Sequence, residues 1–287
     1  MVRLMRRLSR RRVAIVLWTA LYLVFVVTMH DVMQRPAYWV QGKLTHRSWN
    51  NLVTAVTMPI LVAFCLWMFA NLRRHARPWI ATAYMALTVT LASIAFHMLL
   101  CMNIEVIHFP QYAILAVMLF ALTGSFGQTI LWATMAGLLD EGYQYFYLHA
   151  HWGTYLDFND VILNTLGAGF GLVMLYGCGV HAGSIRTRNP HSRVRTLTSS
   201  AGVATGILVV TCAAMCAFGL LRVVRPLDAH PWTIVLRRSG SSTRFWTPTE
   251  WGKTYHEVQP AEWIALTIVL IVFYMLLDYV CTPEEQP

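Results

Sequence analysis

Eight residues whose side chains can exchange protons or hydrogen bonds lie in three otherwise apolar segments. They are Glu105, His108, Tyr112, Asp140, Glu141, Gln144, Asp160 and Asn164. An ionisable group is costly inside a bilayer, and where one occurs it usually marks a functional site. Carboxylates with a histidine suit acid–base chemistry or the binding of a polar ligand.

In the first two segments the spacing puts the polar residues on one face of a helix. Glu105, His108 and Tyr112 follow at i, i+3 and i+7, and Glu141 and Gln144 at i and i+3. Asp140 and Glu141 are adjacent carboxylates, which need a cation, a shared proton or a histidine partner. We predict His108 as that partner. Glu141, His108 and Asp140 are therefore the candidate catalytic residues.

The third segment continues its polar face with glycines. Asp160, Asn164, Gly167 and Gly171 follow at steps of four and three. Structural roles compete here: Asp160, or Asp157 before it, can cap the helix, and Asn164 can bond between helices. The two glycines predict a close helix–helix contact. A metal held by His108, Glu141 and Asp160 is an alternative without a supporting local motif, and the sequence assigns no cofactor.

The composition indicates an integral membrane protein. Of 287 residues, 57% are hydrophobic and 12% charged, against roughly 25% charged in a soluble domain. The net charge is +9, but the arginines lie between apolar runs, where they set membrane topology. We therefore expect a lipid bilayer as partner and no nucleic acid. The six cysteines form neither a disulfide framework nor a CxxC metal motif.

The predicted fold is an all-α polytopic transmembrane helix bundle of about eight spans, each needing about 20 apolar residues. The candidate spans are 13–30, 52–71, 79–102, 105–123, 127–147, 160–180, 202–221 and 262–280. Most of the 22 lysines and arginines lie on one side if both termini are cytoplasmic. This orientation puts the polar residues at the external end of their spans, where they predict a polar pocket that opens outward.

The chain divides into three parts. Residues 1–78 hold a basic leader and two transmembrane helices, and residues 79–182 a four-helix core. Residues 183–287 hold a basic linker, two more helices and an external loop, 222–261. Within that loop, 233–246 predicts two short strands around a Gly-Ser turn. Its arginines and aromatic residues favour either a membrane-surface hairpin or a site for a sugar or an anionic headgroup.

The core resembles the VanZ-like family. Asp140-Glu-Gly-Tyr-Gln144, a short loop and Asp160-Val-Ile-Leu-Asn164-Thr-Leu-Gly167 match its E-x-x-Q, loop, D-v-x-x-N-x-x-G pattern. Upstream, Glu105-Val-Ile-His108-Phe-Pro-Gln-Tyr112 is similar to its first-helix signature. The family's loop often carries a Gly-Arg pair, which is replaced here by His151-Trp-Gly-Thr-Tyr155.

The resemblance implies a protein of the bacterial inner membrane linked to resistance toward teicoplanin-type lipoglycopeptides, with no reaction attached. Three hypotheses follow. The polar residues bind a lipid-linked envelope precursor or a glycopeptide, or they catalyse an acid–base or metal-dependent hydrolysis or transfer on a lipid-linked substrate. In the third, they only lock helices together in a structural subunit of a membrane complex.

Overall fold

The protein is a bundle of α-helices. The computed structural model describes residues 1–72, 75–148, 156–181, 199–222, 234–235, 245–249 and 253–280. The helices in these ranges are α1 (Val2–Arg10), α2 (Arg12–Thr28), α3 (His30–Gln41), α4 (His46–Leu72), α5 (Pro78–Met98), α6 (His108–Thr123), α7 (Phe126–Tyr143), α8 (Phe158–Gly177), α9 (Ser200–Ala217) and α10 (Pro260–Val280). A 3-10 turn, Asn103–Ile107, precedes α6, and a π-helical turn, Gln144–Leu148, follows α7.

Six helical segments of the described chain are long and apolar enough to cross a membrane: α4, α5, α6 with its 3-10 turn, α8, α9 and α10. A seventh is added if α1 and α2, bent by 99° at their junction, count as one span. The protein is thus an all-α, multi-pass membrane protein, as its composition predicted. Each of the eight predicted segments contains a helix, but α7 carries Asp140 and Glu141 and is not among the six. The count of eight spans stays a prediction.

Helix α8 is the centre of the bundle. Of its most apolar stretch of 18 residues, 89% is buried inside the protein. The same share is 11% for α4 and 6% for α9, which lie at the edge of the bundle. Helices α5, α6, α7 and α10 all pack against α8. The polar residues of α8 are therefore enclosed by protein on several sides.

Local capping signals decide where the helices around the site begin. Ser125 accepts a hydrogen bond from the Gln128 backbone N–H at the start of α7. Gly124, at φ +66°, supplies the left-handed residue that ends α6. Asp157 accepts from the Asn159 backbone N–H at 2.9 Å and begins α8, which confirms the capping role predicted for one of the two aspartates.

Hydrogen bonds between elements show which helix termini share an end of the bundle. At one end, Asn103 bonds Asn50 at the start of α4, and Asn159 at the start of α8 bonds the Leu99 carbonyl after α5. This end is called the cluster end. At the opposite end, the Arg77 guanidinium before α5 donates to the Val280 carbonyl that ends α10. The helices therefore alternate in direction, as short connections between spans require.

Little regular structure is described in the 222–261 loop. Strand β1 (Leu221–Arg222) pairs in parallel with β2 (Ile234–Val235), and β3 (Thr247–Pro248) pairs antiparallel with β4 (Thr254–Tyr255). The predicted Gly-Ser turn lies outside the described residues. The His256 backbone N–H donates to the Met98 carbonyl at 2.6 Å, which brings this part of the loop onto the cluster end.

The N-terminal part holds two helices beyond the predicted pair. Helix α1 forms within the arginine-rich leader, and α3 forms between α2 and α4. Both are too short to cross a bilayer, which takes about 20 helical residues.

Candidate functional site

Two glycines bring the backbones of α6 and α8 together beneath the site. A Cβ built on Gly167 would lie 2.7 Å from the His108 carbonyl oxygen, and one on Gly171 would lie 2.4 Å from that of Ala113. These distances are shorter than real Cβ contacts, so only glycine fits at either position. The close packing predicted from the glycine spacing is confirmed, and it brings His108 within reach of α8 side chains.

His108 on α6 is held between two side chains of α8. Its Nδ1 lies 2.8 Å from Asn164 Oδ1, and its Nε2 lies 3.5 Å from Asp160 Oδ2. Both ring nitrogens are thus directed at side chains of α8, because the glycines let α6 and α8 approach closely. Toward the adjacent carboxylates of α7, for which His108 is the predicted partner, the imidazole lies within electrostatic range of Asp140.

The second group of contacts joins α6 to α7. Tyr112 donates from its hydroxyl to Asp140 Oδ2 at 3.1 Å. Gln144 donates from Nε2 to Glu141 Oε1 at 3.0 Å and to Asp140 Oδ1 at 3.5 Å. Asp140 and Asp160 both lie within electrostatic range of His108. The two groups of contacts together form what is called the polar cluster: His108, Tyr112, Asp140, Glu141, Gln144, Asp160 and Asn164.

Glu105 lies within electrostatic range of His108 and Asp160, but it is not part of α6 itself. It lies in the 3-10 turn before α6, and its carboxylate accepts from the backbone N–H groups of Cys101 and Met102 at 2.9 and 3.0 Å. Its immediate role is to cap this turn. Lys253 lies nearby: burial lowers its pKa, and Glu105 and Cys101 act in the opposite direction. The Lys253 ammonium donates to Asn103 Oδ1 at 2.9 Å, and this hydrogen bond holds the 222–261 loop beside Glu105.

The polar cluster is buried rather than open. His108, Asp140, Glu141 and Asn164 are each at most 3% exposed, whereas the Asp160 side chain is 17% exposed. Instead of the predicted outward-opening pocket, the described residues show a closed cluster that reaches the surface through Asp160. A surface hollow of about 320 Å³ lies elsewhere, at the opposite end, beside His75, Cys178 and His181.

The composition of the cluster limits what it can do chemically. Three carboxyl groups and one imidazole lie together in surroundings that solvate charge poorly, which requires shared protons or a bound cation. Among the described residues, no three His, Cys, Asp or Glu side chains are grouped as metal ligands. The predicted metal set of His108, Glu141 and Asp160 is therefore not assembled in this structure.

The buried amide of Asn164 is incompletely bonded. Its Nδ2 has no hydrogen-bond partner among the described residues and lies against Gly137 of α7. A buried N–H without an acceptor is costly. The amide is held by its bond to His108 and by packing, at the point where α6, α7 and α8 meet.

Sequence reasoning did not single out two polar residues that hold the site in place. Asn159 is 4% exposed; it donates to the carbonyls of Leu99 and His256 and accepts from the Val258 N–H. Asp278 on α10 accepts from Ser125 Oγ and from the N–H groups of Phe126 and Gly127, each at 2.8 Å. Asp278 carried a signal, because it is a carboxylate within an apolar run.

Comparison of the chain with protein-family models, with curated proteins and with solved structures finds no match in any of the three. The loop with His151 in place of the Gly-Arg pair lies outside the described residues.

Proposed function

We propose that the protein is a VanZ-like component of the bacterial inner membrane whose polar cluster engages a lipid-linked or surface component of the cell envelope. Both termini are cytoplasmic in this proposal, so the cluster end faces outward. The expected consequence is a changed susceptibility to lipoglycopeptide antibiotics of the teicoplanin type.

The observation that carries the proposal is the contact between the three segments that resemble the family's pattern. They are separated in sequence, yet their polar residues bond to one another directly: His108 to Asn164, and Tyr112 to Asp140. A set of helices that needed only to pack would not require carboxylates at this depth, because apolar and small residues do this at lower cost.

The second candidate function is acid–base catalysis on a lipid-linked substrate. It is favoured by the contact of His108 Nε2 with Asp160 Oδ2, because Asp160 is partly exposed. A proton taken up at the surface by Asp160 has a path to the buried imidazole. In a binding protein the same pair would instead hold a polar or cationic ligand group at Asp160.

The test is fluorescent teicoplanin binding to a host that lacks an outer membrane, at matched membrane abundance of the protein. We expect wild-type cells to bind less teicoplanin than empty-vector cells, and Glu141→Gln to restore binding, since it removes charge and keeps shape. Glu262→Gln is the control, because Glu262 is an exposed carboxylate at the cluster end that bonds His256.

Binding that is equal in wild-type and empty-vector cells would contradict the envelope proposal. Loss of folded protein in Glu141→Gln, with a normal Glu262→Gln, would instead support the structural hypothesis.

A further inference from the structure

Helix α1 lies across the opposite end of the bundle, away from the polar cluster. Helix α2 runs beside the spanning helix α6, and its Tyr22 hydroxyl donates to the Gln111 carbonyl at 3.0 Å. The bend of 99° between α1 and α2 then turns α1 across the helix ends. The amine of Met1 is within electrostatic range of Cys178, which directly follows α8, and this agrees with that position.

One face of α1 is anchored in the protein. Met5 is fully buried, and Val2 and Leu8 pack against the hydrophobic core. Their spacing of three residues puts all three on one side of the helix. The remaining circumference of α1 is therefore fixed in orientation and turned away from the bundle.

That outer face is strongly basic. All six of its arginines are exposed: Arg3, Arg6, Arg7, Arg10, Arg11 and Arg12. They lie within α1 or at its junction with α2, next to the start of the apolar helix α2. A helix with apolar residues on one face and arginines on the other is typical of segments that lie in the membrane interface.

Within the described part of the chain, few acidic residues lie close to the basic face. Residues 1–29, 71–80 and 178–202 contain no Asp or Glu. Asp278 is the described carboxylate at this end, and both of its oxygens are bonded to groups at the start of α7. Glu284 and Glu285 lie outside the described residues. A partner that supplies negative charge would therefore complement the exposed Arg3, Arg7 and Arg10.

We propose that α1 is a binding surface for the anionic phospholipid headgroups of the leaflet on which it lies. Guanidinium groups pair with phosphate oxygens through two parallel hydrogen bonds, and basic segments next to a span are attracted to anionic leaflets. The position of the arginines beside the start of α2 favours headgroups over a soluble acidic partner. This role is separate from the polar cluster and does not depend on the proposed function.

The test is lipid binding to the purified full chain, measured by native mass spectrometry with phosphatidylglycerol and with phosphatidylcholine. In a variant that combines Arg3→Gln, Arg7→Gln and Arg10→Gln, we expect the phosphatidylglycerol affinity to fall about tenfold or more. Phosphatidylcholine retention should not change, and added salt should weaken the wild-type preference.

The matched control combines Lys43→Gln, Arg47→Gln and Arg222→Gln. These three cations are exposed, and the prediction places them on the other side of the membrane. The control should keep the wild-type phosphatidylglycerol affinity to within about twofold, because charges beyond a Debye length are screened. A variant that combines Arg3→Lys, Arg7→Lys and Arg10→Lys keeps the charge and should retain most of the binding.

Equal affinity for phosphatidylglycerol in the wild type and the glutamine variant would overturn the proposal. An equal loss in the control, a lysine variant as weak as the glutamine variant, or stronger binding of the wild type to an acidic peptide or RNA than to phosphatidylglycerol would also overturn it.

Discussion

The two ring nitrogens of His108 face different partners on α8. Asn164 Oδ1 can only accept a hydrogen bond, so the Nδ1 that lies 2.8 Å from it carries the proton. Nε2 is thereby left to exchange a proton with Asp160 Oδ2, the partly exposed member of the pair. The ring is thus oriented by α8 so that Nε2 faces the partly exposed Asp160, where an imidazolium would donate to the carboxylate and a neutral ring would accept from the protonated acid.

The Tyr112 hydroxyl offers a minimal test of the cluster. Tyr112→Phe removes only the donor to Asp140 and leaves the ring, so we expect a loss of stability of about 1 kcal/mol. We also expect teicoplanin binding to shift in the same direction as with Glu141→Gln. Tyr274→Phe is the matched control, since Tyr274 is equally buried and its hydroxyl bonds Thr88 outside the cluster. If both variants change binding equally, the cluster has no special role.

Helices α6, α7 and α8 depend on their neighbours for position. Asp278 of α10 caps the start of α7, with its carboxylate shared among three donors. Asn159 ties α8 to the segment that leads into α10. Polar side chains outside the cluster thus fix the start of α7 at the opposite end of the bundle and the start of α8 at the cluster end.

Asp278→Asn should destabilise the bundle. The amide keeps an acceptor but loses the charge, and at least one buried donor at the start of α7 loses its partner, at a cost of about 1–3 kcal/mol. The measurement is thermal unfolding of the purified protein in detergent, followed by tryptophan fluorescence. Glu262→Gln is the same chemical change at an exposed carboxylate, whose bonds to His256 and the Gln259 N–H lie at the surface, and it should lower the midpoint much less. An unchanged midpoint in Asp278→Asn would show that the cap is dispensable.

Gly171→Ala should separate α6 from α8. The added methyl group meets the Ala113 backbone, which cannot move without shifting the helix, so we expect a loss of about 1–3 kcal/mol. Gly206→Ala in α9 is the control: nothing lies within 4 Å of its Cβ position, and alanine favours a helix there. The same unfolding measurement applies, and a Gly171→Ala midpoint at or above that of wild type would contradict the close packing.

At the scale of the whole molecule, the sequence predicted the class of protein and the grouping of the polar residues better than it predicted the contacts between their side chains. Apolar length indicates membrane helices, and helical spacing correctly brought the α6, α7 and α8 residues together. It did not predict that Glu105 caps a turn, because a 3-10 turn breaks the expected spacing. It predicted His108 as a partner of the α7 carboxylates but not its direct contacts with Asn164 and Asp160 of α8, because the depth at which the glycines let the backbones meet depends on packing across the bundle.

The proposed role of the polar cluster at the cell surface depends most on which side of the membrane the cluster end faces. Phe245→Cys, an exposed position in the loop, should be introduced into a chain whose six native cysteines are replaced by serine. A membrane-impermeant maleimide should label this cysteine in intact cells if the cluster end faces outward. Labelling only after permeabilisation would put the polar cluster on the cytoplasmic side and contradict its role at the cell surface.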